Sequence, residues 1–178
     1  MKRDWLVLHV KPRTEKKVAR YLHEYGYFCH LPLLVKVVKV QRRKVRRTLP
    51  LFPGYVFTKL FPDERINMLR TNLIVKTIYA KRPRLMIHQL RQIAHASRGD
   101  TSMTPAAMSK VGDYVRVVSG PMRGTEGYIQ RKGRDASLCL NVEILGVAVE
   151  VAVAPYDIEI VTPKSIGAGT ARKGSSPT

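Results

Sequence analysis

The sequence predicts an α+β domain, an antiparallel sheet flanked by helices, joined through a linker to a small all-β barrel. Three observations predict it. Residues 1–98 follow the order β-α-β-β-α-β-α, judged from the spacing of their apolar side chains. Residues 110–162 carry at least four short strands between Gly-containing turns, the signature of a small barrel. The charge divides along the same line: residues 1–98 hold 23 Lys and Arg against 5 Asp and Glu, net +18, whereas residues 99–162 hold 6 against 8, net -2. Residues 163–178 add three cations, which completes the chain's +19.

The first element, "DWLVLHV" (Asp4 to Val10), is nearly all apolar and suits a central strand covered on both faces. From Thr14, placed as the N-cap, a helix is expected: Val18, Tyr21, Leu22 and Tyr25 recur at helical spacing and Gly26 stops it. Its outer face carries Lys16, Lys17, Arg20 and His23. "YFCHLPLLVKVVKV" reads as one second strand, and "QRRKVRR" as a hairpin loop or an exposed strand end. "LFPGYVFTKL" starts the return strand, with a kink at Pro53-Gly54. A short helix over about 63–70, a strand over 73–79 and a helix opened by Pro83 complete the domain, which ends at 98.

"SRGDTSMTPAAMSK" has no periodicity and reads as a linker, with 99–109 as its span. The barrel occupies 110–162, and the tail 163–178 has too few large apolar residues to fold.

Composition excludes several classes. No stretch reaches the roughly 20 uncharged apolar residues of a membrane helix, and the apolar run at the N-terminus is too short for a secretion signal, so a cytoplasmic protein is expected. Cys29 and Cys139 stand far apart, which suggests neither a disulfide framework nor a zinc site. The five histidines show no HExxH spacing, no serine or cysteine partner motif is evident and no Gly-rich phosphate loop occurs, so neither catalysis nor a cofactor is expected. A polycationic first half points to a polyanionic partner.

The stretch "TLPLFPGYVF" follows directly on the densest cationic run. Pro50 and Pro53 restrict φ, so Leu51, Phe52 and Tyr55 are candidates for pre-organised docking anchors; the competing reading, strongest for Val56 and Phe57 and open for Trp5, is ordinary core. Lys36, Lys39, Arg42, Arg43, Lys44, Arg46 and Arg47 fit phosphate contacts or a merely solvated hairpin.

Three segments resemble the NusG family of transcription elongation factors, an N-terminal NusG domain followed by a KOW domain. They are the opening "WLVLHVKPRTEKKVARYL", the stretch "PLFPGYVF" and "VGDYVRVVSGPMRGTEGYI", in which Gly112, Asp113, Val115, Gly120, Pro121, Gly124, Glu126 and Gly127 match a KOW motif. The resemblance implies a bacterial factor, a monomer, that binds the clamp helices of the largest RNA polymerase subunit, suppresses pausing and termination, and recruits Rho or a small-subunit ribosomal protein through its KOW barrel. It places Trp5 or its neighbours, Leu51, Phe52, Pro53 and Tyr55 in the polymerase patch. It places Lys16, Lys17, Arg20 and His23, and the run Arg42, Arg43, Lys44, Arg46 and Arg47, near upstream or non-template DNA. The high charge suggests an RfaH-like antiterminator. Two features depart from the pattern: Asn72-Leu73 replaces a common Gly-Val pair, and "DERINMLRT" has no Thr-rich gate loop. The alternative class, a ribosome-associated or RNA-binding KOW protein, calls for a positive barrel, whereas this one is net -2.

Overall fold

Twelve strands, three α-helices and one 3-10 turn make up the described part of the chain. The computed structural model describes residues 2–40, 43–97, 103–108, 112–132 and 135–163. The first domain is built on a four-stranded antiparallel sheet in the order β2 (Phe28–His30), β5 (Tyr55–Leu60), β1 (Asp4–Val10), β6 (Ile74–Tyr79). As expected of a central strand, β1 is covered on both faces. Leu6, Leu8 and Val10 pack with Val18 and Leu22 of α1 (Glu15–Glu24) and Met68 of α2 (Pro62–Leu69). Val7 packs on the other side with Phe57 and with Met86, Leu90 and Ile93 of α3 (Pro83–Ala96).

Local chemistry sets the boundaries. Thr14 takes the N-cap position of α1, but its hydroxyl donates back to the Lys11 carbonyl at 2.6 Å and caps no helical N–H. Gly26 stops that helix at φ +69°. Glu64 accepts the Phe61 N–H at 2.8 Å at the start of α2 and pairs with Arg3, whose guanidinium lies over the Phe61 ring. That anchors the N-terminus to the helix.

Two expectations need correction. The segment "YFCHLPLLVKVVKV" is two strands and not one: β2 joins the main sheet, while β3 (Leu33–Val40) pairs only with β4 (Arg43–Pro50) in a separate two-stranded ribbon. Pro32 falls at the break and lacks the N–H a continuing ladder needs. From Arg43 on the cationic run is exposed strand, the second of the two alternatives that the sequence offered. Residues 103–107, assigned to a linker, form β7 (Met103–Ala107) against the free side of β11 (Val147–Val153); Met103 is buried, and Pro105 is tolerated because β7 is an edge. The rest of that span, 99–102 and 109, and the tail from 164 lie outside the described residues.

The second domain is a six-stranded antiparallel sheet, β12 (Ile158–Ile160), β8 (Tyr114–Val117), β9 (Glu126–Lys132), β10 (Asp135–Val142), β11 and β7. Alternate residues, Val115, Val117, Ile129, Leu138, Leu140, Val149 and Val151, fill its core. α3 serves both domains. Gln92 Oε1 accepts the Glu126 N–H at 3.0 Å, Gln89 Oε1 accepts the Glu143 N–H at 3.1 Å, and Arg82 pairs with Glu143. One continuous apolar cluster runs from Val7 and Phe57 through α3 into the six-stranded sheet.

Candidate nucleic-acid and docking interfaces

The turn between β4 and β5 is held from three sides. Leu51 donates its N–H to the Pro32 carbonyl at 2.8 Å, Gly54 donates to the buried Glu15 carboxylate at 2.7 Å, and the Gly54 carbonyl accepts from Val10 at 2.8 Å. Gly54 sits at φ +83° beside the His9 ring, a conformation open to glycine and strained for other residues. Leu51 and Phe52 point inward: Phe52 is 4% exposed and meets Phe57 edge-on at 6.2 Å. Their expected role as exposed anchors is therefore corrected; they brace the turn from beneath. Val56 and Phe57 are core, as the competing reading had it. Pro53 is exposed, and Tyr55, half-buried, stacks on His9 at 5.1 Å.

Trp5 lies on the same sheet face as Tyr55 but at its other end. It faces Lys59 in the ladder, with the ammonium 5.9 Å from its ring and Phe28 against it at 5.1 Å. His9 faces Tyr55 four residues further along β1, about 13 Å away at strand spacing. Between the two ends, Val7 and Phe57 are covered within the cluster that contains α3.

The cationic residues converge. Lys16, Lys17, Arg20 and His23 are exposed on α1, and Lys16 Nζ donates to the Thr48 carbonyl of β4 at 2.6 Å, tying the helix to the ribbon. Arg43, Lys44, Arg46 and Arg47 are exposed along β4, and Lys36 and Lys39, opposite them on β3, join the set; Arg42 lies outside the described residues. Sequence reasoning missed the role of Glu15, the acceptor that fixes Gly54. It also left out the groove of Tyr21, Tyr25, Asn67, Arg70 and Thr71 between α1 and α2, because these residues come together only in three dimensions.

The KOW-like residues are explained by turn geometry. Gly112 has φ +97°, and a Cβ there would fall 2.2 Å from the Ile129 carbonyl oxygen. Asp113 accepts the Ile129 N–H through its carbonyl, Val115 is core, and Gly120, Pro121 and Gly124 build the loop closed by the 2.7 Å bond from Gly124 N–H to the Val117 carbonyl. Gly127 faces Val115, and Glu126 pairs with Arg116 at 2.8 Å. Burial, reinforced by Glu126, pushes the Tyr114 phenol up to about 12. Among the described residues no group of three or more His, Cys, Asp or Glu is placed to hold a metal.

Residues 3–110 match the family described as "Transcription termination factor nusG", which covers more than half of the chain. The chain belongs to the NusG family. That family consists of transcription factors and not of enzymes. As a NusG-family chain it is similar to the solved structure described as "Domain interaction in Thermotoga maritima NusG", with 20% identity over 91% of this chain and 99% of that one, at a TM-score of 0.44. It is also similar to a chain of "MjSpt4:Spt5 complex conformation B", with 13% identity over 89% of this chain and 97% of that one, at a TM-score of 0.28. No curated protein sequence matches it. No helix among the described residues is long and apolar enough to cross a membrane.

Proposed function

We propose that this NusG-family protein rides on elongating RNA polymerase in the cytoplasm, as a monomer without catalytic activity. It docks on the clamp helices of the largest subunit, suppresses pausing and termination in the manner of an RfaH-like antiterminator, and recruits a protein through its KOW barrel. The observation that carries the reading is the adjacency of a stiff, glycine-locked apolar turn and a ribbon of exposed cations, both tied to α1, the turn through Glu15 and the ribbon through Lys16.

Trp5, Pro53 and Tyr55 supply the docking surface, with Leu51 and Phe52 fixing its shape from below. Partly exposed aromatic rings bounded by charge are the residues that dominate interfaces, and a turn already ordered loses little entropy on binding. The α1 cations Lys16, Lys17, Arg20 and His23, together with Arg42, Arg43, Lys44, Arg46 and Arg47, face the upstream or non-template DNA, where each phosphate contact adds a salt-dependent increment. On the barrel, Tyr156 (85% exposed), Ile160 and Val118 offer an apolar surface on a segment of net charge -2, which suits a protein such as Rho or a small-subunit ribosomal protein better than RNA.

The test is affinity for core RNA polymerase. Trp5→Ala with Tyr55→Ala weakens it by about 2 kcal/mol or more while circular dichroism stays that of the parent. Unchanged affinity removes the proposed surface, and co-sedimentation with ribosomes instead of polymerase at high salt removes the reading as a whole.

A further inference from the structure

We infer that the β3–β4 ribbon grips double-stranded DNA by its phosphates, largely without regard to sequence. This deepens the nucleic-acid reading above and rests on it. Six cations, Lys36, Lys39, Arg43, Lys44, Arg46 and Arg47, are exposed on the two strands. No Asp or Glu occurs anywhere from Tyr25 to Pro62, and among the described residues no ion pair is seen to these six.

The register makes this charge self-opposing. Lys36 stands directly across from Arg47, and Lys39 directly across from Lys44. Like charges at facing positions destabilise a ladder, and a two-stranded ribbon has little stability to spare. A polyanion laid against it converts that repulsion into attraction.

Three features select duplex DNA. First, facing residues share a side of the ribbon, so Lys36, Arg43 and Arg47 lie on one face and Lys39, Lys44 and Arg46 on the other. A ribbon charged on both faces suits a groove with phosphates along both walls, and the B-form major groove admits a two-stranded ribbon where the deep, narrow A-form groove does not. Second, eight residues per strand give about 27 Å of length, with the Arg46 and Lys44 positions about 7 Å apart. Third, the two strands hold only Leu, Val, Lys, Arg, Thr and Pro. They carry no aromatic platform on which single-stranded bases could stack, and no Asn, Gln or carboxylate with which to read adenine or cytosine.

The experiment measures fluorescence anisotropy of the full chain with a DNA duplex of about 20 base pairs, its single strand, and the RNA duplex of the same sequence, across a salt series. The expected result is DNA duplex bound at least about tenfold more tightly than either alternative, with little change between two unrelated sequences. Lys39→Gln with Lys44→Gln lowers the salt slope by about 2, near 0.9 for each lost phosphate contact. Because this pair of changes relieves cross-strand repulsion, a loss of binding does not reflect a ribbon that failed to form. Single strand or RNA duplex bound as tightly as DNA duplex overturns the duplex inference alone. A salt slope unchanged by the substitutions on every probe overturns the ribbon's nucleic-acid role itself.

Discussion

At Gly54 one backbone dihedral organises a surface. Its positive φ lets the same residue donate to Glu15 and accept from Val10, and both bonds aim the turn that carries Pro53 and Tyr55. Gly54→Ala is expected to cost about 1–3 kcal/mol in denaturant unfolding, since the left-handed conformation is strained for alanine. Two ionisable groups, the half-buried His30 and the buried Glu64, make stability depend on pH in separate windows. Burial lowers the His30 imidazole below its ordinary 6.5; the unfolded chain then takes up the proton first, so stability declines as pH falls below about 6.5. Burial alone would raise the Glu64 carboxyl, but the Arg3 guanidinium and the Phe61 N–H together hold it below its ordinary 4.5, so its contribution is present above that value and fades as pH drops further. Urea titrations of His30→Gln should lose the upper of these declines and keep the lower. Of these residues only Gly54 was legible in the sequence, through the Pro-Gly pair. The partner of Glu15 is 39 positions away, and nothing local encodes it. Phe52 was misread for a related reason: an aromatic between two prolines looks displayed, yet its direction is decided by Phe57 on the next strand.

Elements were more legible than residues because periodicity and breakers are local. The α3 apolar positions Met86, Leu90 and Ile93 follow one helical stripe, and all three are buried. Ile93→Ala should cost about 2–5 kcal/mol, read as a lower urea midpoint with an unchanged slope, because the cavity opens inside a cluster shared by both domains. What the sequence could not convey was pairing. β3 looks like β-sheet by composition, and only the structure shows that it leaves the main sheet at Pro32 and runs with β4 alone. The strand β7 was illegible for the opposite reason: "MTPAA" has neither alternation nor β-branched bulk beyond one Thr, and it is a strand because β11 offers it an unpaired edge.

On the scale of the whole molecule, the charge divides between the residues of the two larger sheets, and nothing in that division says that they share a core. Among the described residues their junction combines the shared apolar cluster with bonds in which the Gln89 and Gln92 side-chain oxygens accept N–H groups of the six-stranded sheet, and with the Arg82–Glu143 ion pair. The glutamines act as substitutes for water. When the modules are packed, each occupies a backbone donor that the helix would otherwise seal away, and an orphaned donor of this kind costs about 1–3 kcal/mol. When the modules separate, solvent satisfies the same donors at no penalty. Gln89→Ala with Gln92→Ala therefore penalises only the packed arrangement and should shift the population toward separated domains without unfolding either. The radius of gyration from small-angle scattering should rise, and 15N relaxation should give the barrel a shorter correlation time than the first domain. A variant that keeps one common correlation time would mean that the apolar cluster and the Arg82–Glu143 pair hold the domains together without the glutamines.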